Sequence, residues 1–402
     1  MRRVLVDDWF SPLEDDILRQ LRLNSPATGR WFPALRGLSW CITKQNAPYA
    51  NLFLSPHLEK VTIYTSWPWD NSEAPPGILP TIASTISALP GSTLQHLLIA
   101  VEHLGFPWEY FKDTLSSVIL RCGSSLTEFT SPIPLSDAAV NHLLQLPHLH
   151  IWHVEGPPPS YSDLSLPPIF PSLTELTLGE DAGCGWLSLI GRLEARAPAM
   201  QGVASLSRMK ESLNSLDIQQ LSSPMTDVSL ASPIRIFRNL VYLNVGDYCH
   251  DDDDEGRCIF KLDNDDVTKL VMALSQLEYL QLGHPCFENT CATTVACLLP
   301  ISVYCVKLES LGIHFNTTNI IEDLENISED PKFKELRSLP RSPLSRLDVH
   351  LLPLALNEAD FGAVAGGLID IFPSLERCEG LNEVWDELSE SLRHANTLAL
   401  RQ

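Results

Sequence analysis

The chain has 402 residues, 44% of them hydrophobic, with 28 Lys and Arg against 50 Asp and Glu and a net charge of −22. That supplies enough apolar material for a continuous core and argues against nucleic acid or an anionic membrane as the main partner, because phosphate binding needs clustered Lys and Arg. No run of eighteen apolar residues suggests a membrane span, and in "MRRVLVDDWF" Asp7 and Asp8 interrupt any apolar stretch behind the two arginines, so a secretory signal is not expected.

In chain order, residues 1–30 read as an N-terminal cap. There "SPLEDDILRQLRL" has Leu13, Ile17, Leu18 and Leu21 on one side of a short amphipathic helix. From residue 31 to 380 a six-position pattern recurs: leucine first, then apolar residues at the fourth and sixth positions. "LRGLSW" starts at Leu35, "LEKVTI" at Leu58, "LQHLLI" at Leu94, "LHIWHV" at Leu149 and "LTELTL" at Leu173. "LNSLDI" follows at Leu213, "LVYLNV" at Leu240, "LEYLQL" at Leu277, "LESLGI" at Leu308 and "LSRLDV" at Leu344, with weaker copies "LTEFTS" at Leu126 and "LERCEG" at Leu375. The copies return about every 31 residues, with the shortest steps in the range of leucine-rich repeats.

The fourth and sixth positions are two apart, so on a strand they share a face. One such strand cannot bury that face alone, whereas parallel stacking makes one core. The predicted fold is therefore α/β: a leucine-rich-repeat solenoid (horseshoe) of about 11–12 irregular repeats, with a curved parallel sheet on the concave face and helices or loops outside.

Three connecting segments read as helices. "SDAAVNHLLQL" has Ser136 as N-cap and Val140, Leu143 and Leu144 at helical spacing. "DNDDVTKLVMAL" has Asp263 or Asn264 as cap and a stripe of Val267, Leu270, Val271 and Leu274. "NEADFGAVAGGLIDI" has Phe361, Val364, Leu368 and Ile371. The pattern does not fix the repeat boundaries in regions 65–90 and 180–210, and residues 381–402 read as a C-terminal capping helix.

The segments that could hide chemistry read as structure. In "HDDDDEG", Asp251, Asp253, Glu255 and Gly256 imitate an EF-hand calcium loop, but the twelfth position, where a bidentate carboxylate is needed, is Leu262. A solvated loop is expected there. His142, His148, His150 and His153 crowd one region without helical ligand spacing. Cys286, Cys291, Cys297 and Cys305 match no common zinc pattern, and the cysteines read as buried thiols in a reducing compartment. The chain has no G-x-S-x-G elbow, no phosphate loop and no G-x-G-x-x-G. No catalytic residue, cofactor or metal is expected, and the chain reads as a non-enzyme in the cytoplasm or nucleus.

Trp40 and Trp152 fall on core positions. The opposite, concave face collects Tyr64, His153, Glu155, Asp217, Gln219, Asn244, Gln281, His314, Asp348 and His350 at fifth or seventh positions, joined by Tyr242 and Tyr279 at the third. This mixed polar surface suits a partner protein or peptide, since tyrosine contributes large contact area at low entropy cost.

The recurring "FPSL" and "LPHL" phrases, with "LSDAAVNHLLQLPHL" and "VAGGLIDIFPSLE", are similar to the leucine-rich-repeat regions of fungal F-box proteins of basidiomycete type, over roughly residues 1–395. The resemblance implies a non-catalytic substrate-recruiting receptor of a cullin-type ubiquitin ligase, in which the F-box docks on a Skp-type adaptor and the repeats choose the substrate. The F-box itself is expected to be missing. "SPLEDDILRQLRL" followed by "RWFPALRGLSW" is too short for one, Trp31 and Trp40 belong to the first repeat region, and a phrase like "RRVLVDD" usually follows an F-box. The alternative is a free-standing repeat scaffold or inhibitor without a ubiquitin connection; an unrecognised hydrolase is a more distant one.

Overall fold

Each copy of the pattern becomes a short strand reached through a buried leucine. The structure is a computed structural model that describes residues 3–6, 15–24, 31–43, 46–65, 78–101, 108–154, 171–179, 209–218, 234–246, 262–283, 292–336, 338–350, 360–380 and 383–399. It is α/β, its paired strands are all parallel, and the chain divides into two units, residues 1–182 with 201–209, and 183–200 with 210–402.

The first unit has strands β1 (Arg3–Val6), β2 (Gly37–Ile42), β3 (Lys60–Thr65), β4 (His96–Val101), β5 (Glu128–Ser131), β6 (Ile151–Val154) and β7 (Glu175–Leu178), neighbours in chain order. Its helices are α1 (Asp15–Leu23), α2 (Ile78–Ser87), α3 (Lys112–Arg121) and α4 (Asp137–Leu144). The second unit has β8 (Ser215–Ile218), β9 (Tyr242–Val245), β10 (Tyr279–Leu282), β11 (Ser310–Ile313), β12 (Arg346–His350) and β13 (Arg377–Gly380), again paired in chain order. Its helices are α5 (Asn264–Ala273), α6 (Leu298–Tyr304), α7 (Ile320–Glu329), α8 (Pro331–Leu336), α9 (Phe361–Ile371) and α10 (Glu383–Ala399).

The strand register equals the sequence register. Lys60 pairs with His96, Ser215 with Tyr242 and Tyr242 with Tyr279, so third position meets third position along each sheet. No residue at a first or fourth position from Leu35 to Cys378 is more than 4% exposed. Trp40 and Trp152 lie in this core, with Trp40 tilted against Phe53 at 5.0 Å. Truncating one such leucine to alanine costs about 2–5 kcal/mol.

A backbone relay precedes the side-chain ladder. At most copies the carbonyl at the second position accepts from the next copy's second and third N–H groups: Glu59 and Lys60 donate to Arg36, Gln95 and His96 to Glu59, and Glu278 and Tyr279 to Val241. This satisfies the peptide groups where the chain turns into the strand, so the turn need not be left unpaired.

The three helices expected from the sequence form. The Ser136 side chain accepts from the Ala139 N–H, and Asp263, rather than Asn264, accepts from the Asp266 N–H at 2.8 Å. Val267, Leu270, Val271 and Leu274 are buried, as are Phe361, Val364, Leu368 and Ile371. Within each unit helices pack on helices, α2 on α3 and α3 on α4, then α5 on α6 and α7 on α9. Region 65–90, where the pattern does not fix the repeat boundaries, contributes α2, whose Ile82 and Ile86 are buried.

Residues 1–30 hold a strand as well as the expected helix. Helix α1 forms and buries Leu18, but "RVLV" ahead of it pairs with β2 as a strand. The motif is only four residues long, and it lacks the leading leucine by which the other strands are found. The acidic run 250–256 and region 180–208 lie outside the described residues.

Candidate functional site

Strand alternation sends third and fifth positions to the face opposite the leucine core. In the second unit the third positions read Ser215, Tyr242, Tyr279, Ser310, Arg346 and Arg377, and the fifth read Asp217, Asn244, Gln281, Gly312, Asp348 and Glu379. Of the residues expected on this face, Asp217, Tyr242, Asn244, Tyr279, Gln281 and Asp348 are on it and half-buried.

Adjacent strands bring the two tyrosine rings into parallel stacking, with centroids 4.4 Å apart and planes 7° apart. Burial, then the neighbouring Tyr279 and the Asp217 carboxylate, push the Tyr242 phenol up to about 12. Burial also raises Tyr279, with Asp348 adding to the shift. Both rings therefore present neutral hydroxyls at physiological pH.

Beside the stack, Asn244 Nδ2 donates to Asp217 Oδ1 at 2.8 Å, which fixes that carboxylate. Gln281 Nε2 donates to the Gly283 carbonyl at 3.1 Å, a bond that uses the positive φ of 83° at Gly283. The Gln281 side chain lies across Gly312, where any Cβ would collide with it. Farther along the row, Glu379 bridges Arg346 and Arg377, the latter at 2.8 Å.

The first unit carries a different surface. Over β2–β5 lies a cleft of ≈ 390 Å³ whose lining includes Gly37, Ser39, Lys60, Thr62, His96 and Glu128. Its floor is low because Gly37 has no side chain and Ser39 and Thr62 are small. His96 Nδ1 meets Glu128 Oε2 at 2.7 Å, and Arg36 Nη1 meets Glu59 Oε1 at 2.5 Å. Sequence reasoning missed Lys60, His96 and Glu128. All three occupy third positions, which alternation places on the same face as the fifth.

No protein-family model matches the chain, and no curated protein sequence matches it.

The remaining expected face residues divide. Tyr64 is 40% exposed at the end of β3, and His153 is half-buried on β6. His314 is corrected: it is 1% exposed and lies beside buried Phe315. Strand β11 ends at Ile313, so the alternation that would have turned His314 outward stops one residue earlier. Glu155 and Gln219 lie outside the described residues, and so does the side chain of His350.

The clustered histidines have separate partners, His142 Nε2 at 2.8 Å from the Cys122 carbonyl and His150 Nδ1 at 2.9 Å from the Ser172 carbonyl. Among the described residues no group of three His, Cys, Asp or Glu is placed to hold a metal ion. Cys41, Cys122, Cys297, Cys305 and Cys378 are buried thiols, and Cys286 and Cys291 lie outside the described residues. Among the described residues no helix is long and apolar enough to cross a membrane.

Proposed function

We propose that this chain is a leucine-rich-repeat recognition module that holds a protein partner on the exposed side of its parallel strands and performs no chemistry of its own. The observation that carries the reading is the division of each strand into two rows. First and fourth positions are spent on the core, while third and fifth positions over β8–β13 form a polar and aromatic row, in which Gln281 lies across the gap at Gly312. Such a row supplies hydrogen-bonding groups and rigid aromatic area, the two ingredients of a protein-contact surface.

Within that reading, the resemblance to fungal F-box proteins supports a substrate-recruiting role in a cullin-type ubiquitin ligase of the cytoplasm or nucleus. The substrate would sit on the face and a Skp-type adaptor would bind through an F-box. The test is copurification from the native source. A Skp-type adaptor and cullin recovered with the full gene product support the ligase role. A partner recovered without them makes the protein a free-standing scaffold or inhibitor, which retains the face and loses the ubiquitin connection. Turnover in a broad hydrolase screen would overturn the non-enzymatic reading itself.

A further inference from the structure

We propose that the tyrosine stack on β9 and β10 is a platform for a guanidinium group, so that the partner presents an arginine-bearing basic segment to this face. The inference rests on the recognition reading above and deepens it by naming the chemistry of the partner.

The strand register shows where such a group fits. Tyr242 and Tyr279 cover each other's inner ring faces. The residues in register on either side are Ser215 and Ser310, each with a side chain of one hydroxymethyl, so neither outer ring face is covered by its neighbour in the row. Asp217, the fifth-position residue of β8, lies on the same face two residues on from Ser215, and its charge acts on the Tyr242 phenol. A planar cation placed there would stack on the ring and lie beside a carboxylate that Asn244 holds in place.

Charge favours the same occupant. Asp217 acts electrostatically on both tyrosines; on Tyr279 Asp348 adds to it and Arg346 opposes it, whereas no cation opposes it on Tyr242, so the Tyr242 end of the stack sits in a field that attracts cations. The chain as a whole is at −22. The Arg346 and Arg377 cations both pair with Glu379, and Arg346 still acts on Tyr279, so the slot for a cation lies on the Tyr242 side, over Ser215 and Asp217. Arginine suits the slot better than lysine, since its flat, weakly hydrated guanidinium stacks on a ring and pairs with a carboxylate at once. An apolar or acidic segment would gain neither contact.

The test uses the full chain and a fluorescein-labelled peptide of alternating arginine and glycine, with lysine and glutamate counterparts, read by anisotropy at physiological salt. The arginine peptide is expected to bind more tightly than the lysine peptide. The double variant Tyr242→Ala with Tyr279→Ala should weaken it about tenfold, and the double Phe variant should stay within about twofold of wild type, because the ring and not the hydroxyl carries the contact. Asp217→Asn should weaken it at least about threefold, and this decides the matter if the double Ala variant fails to fold. Equal binding of arginine and lysine peptides, indifferent to the tyrosines and to Asp217, would mean diffuse attraction to an acidic protein and would overturn the inference.

The two levels separate cleanly. If Asp217→Ala with Asn244→Ala and Gln281→Ala abolishes partner capture while arginine peptides ignore the tyrosines, the face stands and its arginine chemistry falls. If capture survives that triple variant, the recognition reading falls, whatever the peptides do.

Discussion

Ser389 closes the backbone of Cys378. Its hydroxyl accepts from the Cys378 N–H at 2.9 Å and donates to the Cys378 carbonyl at 2.7 Å, both in a buried setting. Cys378 lies on β13 and Ser389 on α10, so one side chain of the helix satisfies both peptide groups that the strand would otherwise leave unpaired. Ser389→Ala strands a donor and an acceptor in the core. It should cost about 2 kcal/mol or more, seen as a lower urea midpoint with an unchanged m-value.

Two strand glycines, Gly312 on the open face and Gly380 against the core, should respond differently to the same change. A Cβ at Gly380 would run into the indole of Trp385, which is rigid and 0% exposed. A Cβ at Gly312 would meet only the amide end of Gln281, which can swing away. Gly380→Ala is therefore expected to cost about 1–3 kcal/mol and Gly312→Ala less than about 1 kcal/mol. Denaturant midpoints of the two variants, measured side by side, check the order.

Burial raises the thiols of Cys122, Cys305 and Cys378 from 9.0 to about 12. In the unfolded chain these groups keep their ordinary value, so between pH 9 and 12 the folded protein binds more protons than the unfolded one. Their contribution is fully present below pH 9 and is lost as pH rises toward 12. Tyr242 acts in the same direction between pH 10 and about 12. Thermal unfolding should show a falling midpoint above pH 9. At pH 8 iodoacetamide should leave these three thiols unlabelled until urea is added, as peptide mapping would report.

The ion pairs of the first unit should matter little to stability. His96 and Glu128 are each about a third exposed, and Arg36 is more open still. Glu128→Gln is expected to change the unfolding free energy by less than about 1 kcal/mol, because exposed pairs are screened by water and salt. A larger loss would mark the cleft as a structural centre.

Much of the fold was legible because the pattern carries two independent constraints. A leucine at Leu277 and apolar residues at Leu280 and Leu282 fix where the strand begins and which face is inside, and this strand places Tyr279 and Gln281 on the other face by alternation alone. The same logic failed at His314, where β11 had already ended, since a six-position pattern does not report the length of a strand. Strand β1 was invisible because its pairing with β2 is a long-range fact that four residues cannot announce. The cleft at Lys60, His96 and Glu128 was readable in principle. Its third positions hold no aromatic to draw notice, and the His96–Glu128 pair exists only because β4 and β5 are neighbours.

The proposed recognition face of the second unit is tested most directly by partner capture with two variants of the full chain. One carries Asp217→Ala, Asn244→Ala and Gln281→Ala on the open row. The other carries Asp265→Ala and Glu325→Ala on helices α5 and α7, where both residues are exposed. Thermal unfolding establishes that each is folded, and quantitative mass spectrometry compares what each retains with what wild type retains. The account predicts that partners held by wild type are kept by the helix variant and lost by the row variant. Partners kept equally by the row variant would contradict it.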